Sequence, residues 1–265
     1  ANILREFLTR SEQPNRFAHE EIKEVMDLCL ACKGCKAECP SNVDVAKLKM
    51  EFLYQYQKEK GLPLRSWLVG NFAKLSNIAS YVPFLYNVVM GTPAIRRISN
   101  ALVGFHPDRT MPLMAKQTLW SWLRARMSPF QSKSVYLFVD EFTNFNDAEI
   151  GRTAVLLLER LGYEVKTIPH PISGRAYLSK GMLDEARILA MQNVRLWSSL
   201  VSENTPLVGI EPSAILTFRD EYPDLVSEEW VEKAQELAKN TYLLEEFIAK
   251  EADAKRITAA AFSSE

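Results

Sequence analysis

At 265 residues with 47% apolar side chains, the chain is long enough for one large or two ordinary domains with filled cores. Its 32 basic and 33 acidic residues leave a net charge of -1, which offers no electrostatic footprint for nucleic acid, and no block of lysine and arginine appears. The longest apolar stretches, such as Tyr81 to Met90, are interrupted by Pro83 and fall well short of the ~20 residues that a transmembrane segment needs.

The first residues, Ala1-Asn2-Ile3-Leu4-Arg5, bring neither an initiator methionine nor the apolar core of a signal peptide, so the sequence reads as part of something longer. His19 to Leu28 carries Ile22, Val25 and Met26 at helical spacing and leads into the run Cys29-Leu30-Ala31-Cys32-Lys33-Gly34-Cys35-Lys36-Ala37-Glu38-Cys39-Pro40. That run holds all four cysteines of the chain. Its spacing, C-x2-C-x2-C-x3-C-P, is that of bacterial ferredoxins. Two residues between successive cysteines let a tight loop aim Cys29, Cys32 and Cys35 at three corners of one 4Fe-4S cluster. Gly34 is expected to let the backbone pass close to inorganic sulfide, and Pro40 turns the chain away. In two-cluster proteins the fourth cysteine, here Cys39, ligates the partner cluster, and no second run stands elsewhere in this sequence to complete either set.

Two other uses of four close thiols compete. A zinc-stabilised structural or interaction module without redox activity is the alternative, although zinc sites usually bring two C-x2-C pairs on separate knuckles or add histidine. Disulfides between such near neighbours would close small strained loops.

Beyond the run, Ser41 or Asn42 can cap a second helix that has Asp44 in its first turn, Val45, Leu48, Phe52 and Tyr56 as its stripe, and Gly61 as its end. Two helices thus bracket the cysteines, which favours an all-helical ferredoxin-like module. Residues 62 to 130 read as helices broken at Pro63, Pro83, Gly91 and Pro107. The clearest runs from Thr92-Pro93 to Gly104, with Ile95, Ile98 and Leu102 as stripe. Trp67, Trp120 and Trp122 read as packing residues. From Ser134 the pattern changes: strands at Val135 to Val139, Tyr163 to Ile168 and Leu207 to Ile210 alternate with helices, which implies a parallel sheet. Its ligand-binding loops would be Asp140 to Asn146, Pro169 to Ser179 and Glu211 to Ala214. Helices are expected from Ser227 to the end. The fold class is therefore α plus α/β: residues 1-62 an iron-sulfur module, 63-130 a helical connector, 131-226 a small parallel-sheet domain and 227-265 C-terminal helices.

Four stretches together resemble the iron-sulfur portion of FAD-linked D-2-hydroxyacid oxidases and dehydrogenases, the glycolate oxidase and D-lactate dehydrogenase group. These are Ala1 to Glu6, Leu28 to Leu53, Gly174 to Gly181 (GRAYLSKG) and Glu211 to Pro223 (EPSAILTFRDEYP). The resemblance implies an FAD domain and another ferredoxin-type run upstream. It also implies that the missing ligand for Cys29, Cys32 and Cys35 comes from before Ala1 and that Cys39 serves a partner cluster. The α/β part is similar to the cysteine-rich Cys-Cys-Gly domain of heterodisulfide reductase subunits. Ile172-Ser173 stands where the cysteine pair would precede Gly174, however, and Ala214 stands where another cysteine is common, so the resemblance implies a degenerate, structural half.

His19, His106 and His170 have no companion residues that would make a catalytic group and read as surface or core histidines. No glycine-rich phosphate loop is present. Glu211, Arg219, Asp220 and Glu221 read as a cap and salt-bridge cluster around the helix after Pro212. The functional expectation is an electron-transfer segment that relays electrons from flavin to an acceptor, with no catalytic residue and no dehydrogenase activity of its own. Its expected partners are a flavin-containing domain or subunit and an electron acceptor. Its expected place is the cytoplasm, with room for peripheral association at the inner membrane face.

Overall fold

The computed structural model describes residues 2-10 and 17-262; Ala1, at the head of the first resembling stretch, lies outside them, as do residues 263-265. The chain divides into two units, one of Ala1–Phe72 with Ala176–Ala186, the other of Ala73–Arg175 with Arg187–Glu265.

The first unit contains α1 (Asn2–Arg10), α2 (Glu20–Asp27), α3 (Gly34–Glu38), α4 (Val45–Lys60) and α5 (Leu64–Gly70). Glu20 and Glu21 occupy the first turn of α2, where the helix dipole favours acid. Ile22 and Met26, one turn apart, are buried with Leu4, Phe52, Leu53 and Tyr56 in one apolar cluster. The cap of α4 is Asp44 rather than Ser41 or Asn42: its carboxylate accepts from the Lys47 N–H at 3.1 Å. Asn42 is in a left-handed conformation, φ 52°, within the turn where its N–H donates to the Cys39 carbonyl at 2.9 Å. Leu48, expected in the stripe of α4, is exposed, and Ala46, Met50 and Leu53 join Phe52 and Tyr56 inside. Trp67, expected to pack, is 44% exposed. The returning segment is seated by Gln57, which donates to the Lys180 carbonyl at 2.7 Å, and by Tyr177, whose hydroxyl donates to Asn71 at 3.0 Å.

α6 (Phe72–Ala79) leads into the second unit, followed by α7 (Pro83–Gly91), α8 (Pro93–Val103) and α9 (Leu119–Arg124). Prolines at the first turns of α7 and α8 and Gly104 at φ 79° after α8 match the expected punctuation. Thr92 does not cap through its side chain, because its hydroxyl donates back to the Val88 carbonyl at 2.7 Å. The Ile95, Ile98 and Leu102 stripe faces outward rather than into a core.

A four-stranded sheet forms the rest. Its strands are β1 (Lys133–Phe138), β2 (Tyr163–Lys166), β3 (Leu207–Gly209) and β4 (Thr241–Leu243), in the order β2-β1-β3-β4 and all parallel. The connections carry α10 (Glu141–Phe145), α11 (Ala148–Arg160), α12 (Arg175–Ser179), α13 (Leu183–Trp197), α14 (Pro212–Asp220), α15 (Tyr222–Leu225) and α16 (Val231–Lys239), and α17 (Leu244–Asp253) follows β4. Alternation along β1 divides the core in two. Val135, Leu137 and Val139 pack with Leu119, Leu158 and Phe247, whereas Tyr136 and Phe138 pack with Trp197, Ile215 and Phe218. Helices therefore cover both faces, as a parallel sheet requires.

Gly209 closes β3 where a Cβ would lie 2.5 Å from the Ile215 side chain, so only glycine lets α14 pack this close. The fourth strand corrects the expectation that only helices follow Ser227. There the chain makes a 3-10 turn (Glu228–Trp230), α16, three residues of edge strand and α17. Three residues are too few to display a period of two.

Candidate metal centre

The cysteine loop begins as α2 ends, with the Cys29 N–H donating to the Met26 carbonyl at 3.1 Å. The special backbone conformations fall on Ala31, φ 54°, and Lys33, φ 61°, rather than on Gly34. Gly34 opens α3 with room for an ordinary van der Waals contact, since a Cβ there would meet Cys32 Sγ at 3.7 Å. The left-handed Ala31 turns its N–H onto Cys29 Sγ at 3.4 Å. At the other end of the loop the backbone N–H groups of Val43, Ser41 and Asn42 face Cys39 and hold its thiol below the usual cysteine range. Lys49, on α4, donates from Nζ to the Cys29 carbonyl at 2.6 Å. No local pattern could have announced it from the sequence, because twenty residues separate the partners.

All four thiols are free; Cys29 and Cys39 are half-buried and Cys32 and Cys35 exposed. Among the described residues no three His, Cys, Asp or Glu side chains are gathered to hold a single metal ion. A cuboidal cluster makes a different demand, one thiolate on each iron. Four free thiols within Cys29 to Cys39, with amide donors already aimed at sulfur, fit that ligand chemistry.

The carboxyl ends of the strands gather a second group of polar residues. Asp140 caps α10, accepting from the Phe142 and Thr143 N–H groups at 2.9 Å each. Beside it Glu141 is 3% exposed and has one carboxylate oxygen without a hydrogen-bond donor. Burial first, then the charges of Asp140 and Glu211, push its pKa up to about 7. Ser173 and Ala214, at the positions where the resemblance would place cysteines, are both buried and structural. Ser173 Oγ accepts from the Arg175 N–H at 3.2 Å, and the Ala214 N–H donates to Glu211 at 2.6 Å, so Glu211 is the cap of α14. Arg219 meets Glu246 at 2.6 Å. Neither Ser173 nor Ala214 offers the thiolate of an iron ligand.

The three histidines remain apart. His170 is stacked on Phe138 with ring centroids 4.3 Å apart and accepts from the Val139 N–H at 3.1 Å through Nε2. Burial holds its pKa near 4, so it is neutral. It is a half-buried packing histidine, set among Phe138, Trp120 and Trp197. His19 is buried in the first unit, and His106 is exposed.

Helices on both sides of the loop and the C-x2-C-x2-C-x3-C-P spacing are the features expected of a ferredoxin-type iron-sulfur module. Residues 2–44 match the 4Fe-4S dicluster domain family. Over about four-fifths of its length the chain is similar to proteins named D-2-hydroxyglutarate dehydrogenase. It is 28% identical to that of Escherichia coli strain K12 over 223 residues, covering 80% of this chain and 22% of the relative. It is 28% identical to that of Pseudomonas putida over 229 residues, covering 83% and 23%. That of Haemophilus influenzae is 25% identical over 225 residues. The chain thus spans about a fifth of the length of the curated relatives it matches. No solved structure matches it.

Proposed function

We propose that this chain is the electron-transfer segment of a flavin-dependent 2-hydroxyacid oxidoreductase, with Cys29, Cys32 and Cys35 holding one 4Fe-4S cluster and Cys39 serving a partner cluster. The observation that carries the reading is the extent of the homology: it runs over 80% of the chain, far past the cysteines, into a sheet domain that a generic ferredoxin would not bring along. The relatives are named for D-2-hydroxyglutarate, and this is the acid to test first.

In this reading the bound cluster supplies one-electron transfer between flavin on a partner domain or subunit and an acceptor. The chain's own residues hold and tune it. The Ala31 N–H lies on the sulfur of Cys29, and the amides around Cys39 favour its thiolate, the form that binds iron. Lys49 fixes the carbonyl of Cys29 and with it the start of the loop.

Anaerobically prepared protein should contain iron with labile sulfide, show a broad visible band that bleaches on reduction, and give an electron paramagnetic resonance signal when reduced. Supplying the flavin-containing partner should then couple D-2-hydroxyglutarate oxidation to bleaching. One equivalent of zinc in a cluster-competent preparation would overturn the reading and favour the zinc-stabilised module.

A further inference from the structure

The strand order β2-β1-β3-β4 sends the chain from β1 to one side and from β3 to the other, so the loops at their carboxyl ends diverge and leave a crevice. Four acids belong to it: Asp140 and Glu141 after β1, Glu211 after β3 and Glu221 after α14. Three of them are provided for. Asp140 accepts from the Phe142 and Thr143 N–H groups and from the Thr143 hydroxyl. Glu211 accepts from the Ala214 N–H and the Ser213 hydroxyl, and Glu221 has Arg175 at 3.9 Å. The amino-terminal ends of α10 and α14 thus already face the chain's own carboxylates, and nothing here calls for an anion.

Glu141 is the exception. It is 3% exposed, and its Oε2 has no hydrogen-bond donor. The Ser173 hydroxyl faces the carboxylate, but the strongest charges acting on it, those of Asp140 and Glu211, are both negative. A second orphan belongs to the same group. Asn193, fully buried, donates from Nδ2 to the Ile172 carbonyl at 2.9 Å and to the Tyr222 hydroxyl at 3.0 Å, and that hydroxyl donates to the Ser173 carbonyl at 2.8 Å. Both amide hydrogens are thereby committed, which fixes the direction of Oδ1, a buried acceptor with no donor. The Tyr222 hydroxyl also lies close enough to Glu141 to feel its charge. A carboxylate and an amide oxygen buried together without donors are costly unless something positive meets them.

The donor set selects the ion. Glu141, Asn193 and Ser173 offer carboxylate, amide and hydroxyl oxygen and no thiolate, which suits a hard cation and not iron. Among the described residues no three His, Cys, Asp or Glu side chains gather on one point, as a divalent ion held by several carboxylates would require. One uncompensated carboxylate beside neutral oxygens is balanced by a single positive charge. We infer that the crevice between β1 and β3 binds a monovalent alkali cation, sodium or potassium, through Glu141 Oε2 and Asn193 Oδ1. The inference stands apart from the electron-transfer reading, since it uses neither the cysteines nor any redox step.

The test is thermal unfolding of the full chain at about pH 8 in choline, sodium or potassium chloride at one ionic strength. Choline, whose charge is shielded by methyl groups, is the baseline that leaves Glu141 uncompensated. Replacing it by sodium or potassium should raise the melting temperature saturably, by about 3 °C or more with the better-fitting ion. Glu141→Gln keeps the size of the side chain, removes its charge, and should melt at one temperature in all three salts. Glu228→Gln, which alters an exposed acid on the 3-10 turn, should keep the full response of the parent. A parent that melts alike in the three salts overturns the inference, as does a Glu141→Gln variant that responds as the parent does. A response to magnesium or calcium chloride with none to either alkali ion overturns it as well.

Discussion

Lys49 Nζ lies 2.6 Å from the carbonyl oxygen of Cys29, a bond that ties the second turn of α4 to the start of the cysteine loop. The bond is charge-assisted and half-buried, so it is stronger than an average surface contact. Its effect is to set the orientation of the Cys29–Leu30 peptide, one residue before Ala31, whose N–H lies on Cys29 Sγ.

Replacing Lys49 by methionine, which keeps the length of the side chain but not its donor, should loosen that start of the loop by about 1–2 kcal/mol. The measurable consequence is faster loss of iron to a chelator, by about tenfold, with little change in far-ultraviolet circular dichroism. Iron release at the parent rate in the variant would show that the contact does not hold the loop.

The loop also stores backbone strain at Ala31 and Lys33, two non-glycine residues at φ 54° and 61°. A left-handed conformation costs an L-residue roughly 1–2 kcal/mol. Lys33→Gly should relieve it and, after the greater freedom of glycine in the unfolded chain is subtracted, raise stability by about 0.5–1 kcal/mol. Lys33→Val should do the reverse, because a β-branched residue fits this region worst. Urea melts of the two variants beside the parent give the ordering, and a valine variant as stable as the glycine variant would exclude the strained geometry.

How far the sequence carried depended on how local each cause was. The cysteine spacing, the helices either side of it and three of the strands are written in runs of four to a dozen residues, where period and punctuation act directly. The fourth strand, Thr241–Leu243, exists because β3 offers it an open edge, and nothing within those three residues reports that edge. The outward stripe of α8 has the same periodicity as an inward one. Periodicity tells which residues share a face, and only the seating of Asn100 against residues 106 to 109 tells which way that face points. At the cysteines the thiol spacing was legible, but the left-handed turns at Ala31 and Lys33 fell on residues with no sequence preference for them.

In the sheet domain Tyr222 is fully buried, and its hydroxyl donates to the Ser173 carbonyl at 2.8 Å while accepting from Asn193 Nδ2 at 3.0 Å. Asn193 also donates to the Ile172 carbonyl at 2.9 Å, so one tyrosine and one asparagine hold the loop after β2 at the position expected for a cysteine pair. Tyr222→Phe keeps the ring contacts with Phe218 and strands two buried polar groups. It should cost about 1–3 kcal/mol, read as a lower midpoint in urea at an unchanged slope. A phenylalanine variant as stable as the parent would indicate that water replaces the hydroxyl.

The pH dependence of stability should carry the mark of Glu141. Its carboxyl is raised from an ordinary 4.5 to about 7, chiefly by burial and then by the neighbouring Asp140 and Glu211 charges. Below pH 4.5 the group is protonated in folded and unfolded chains alike, so burying it carries no ionic penalty. Between about pH 4.5 and 7 the unfolded chain gives up the proton and the folded chain keeps it, and stability falls as pH rises through that window. Above about 7 the full difference is felt. Glu141→Gln cannot ionise, and it should match the parent near pH 4.5 while exceeding it by about 2–3 kcal/mol at pH 8. Melting temperatures of the two proteins across this range should diverge with rising pH. A constant gap between them would mean that Glu141 ionises as readily folded as unfolded, and a gap closing as pH rises would reverse the assigned sign.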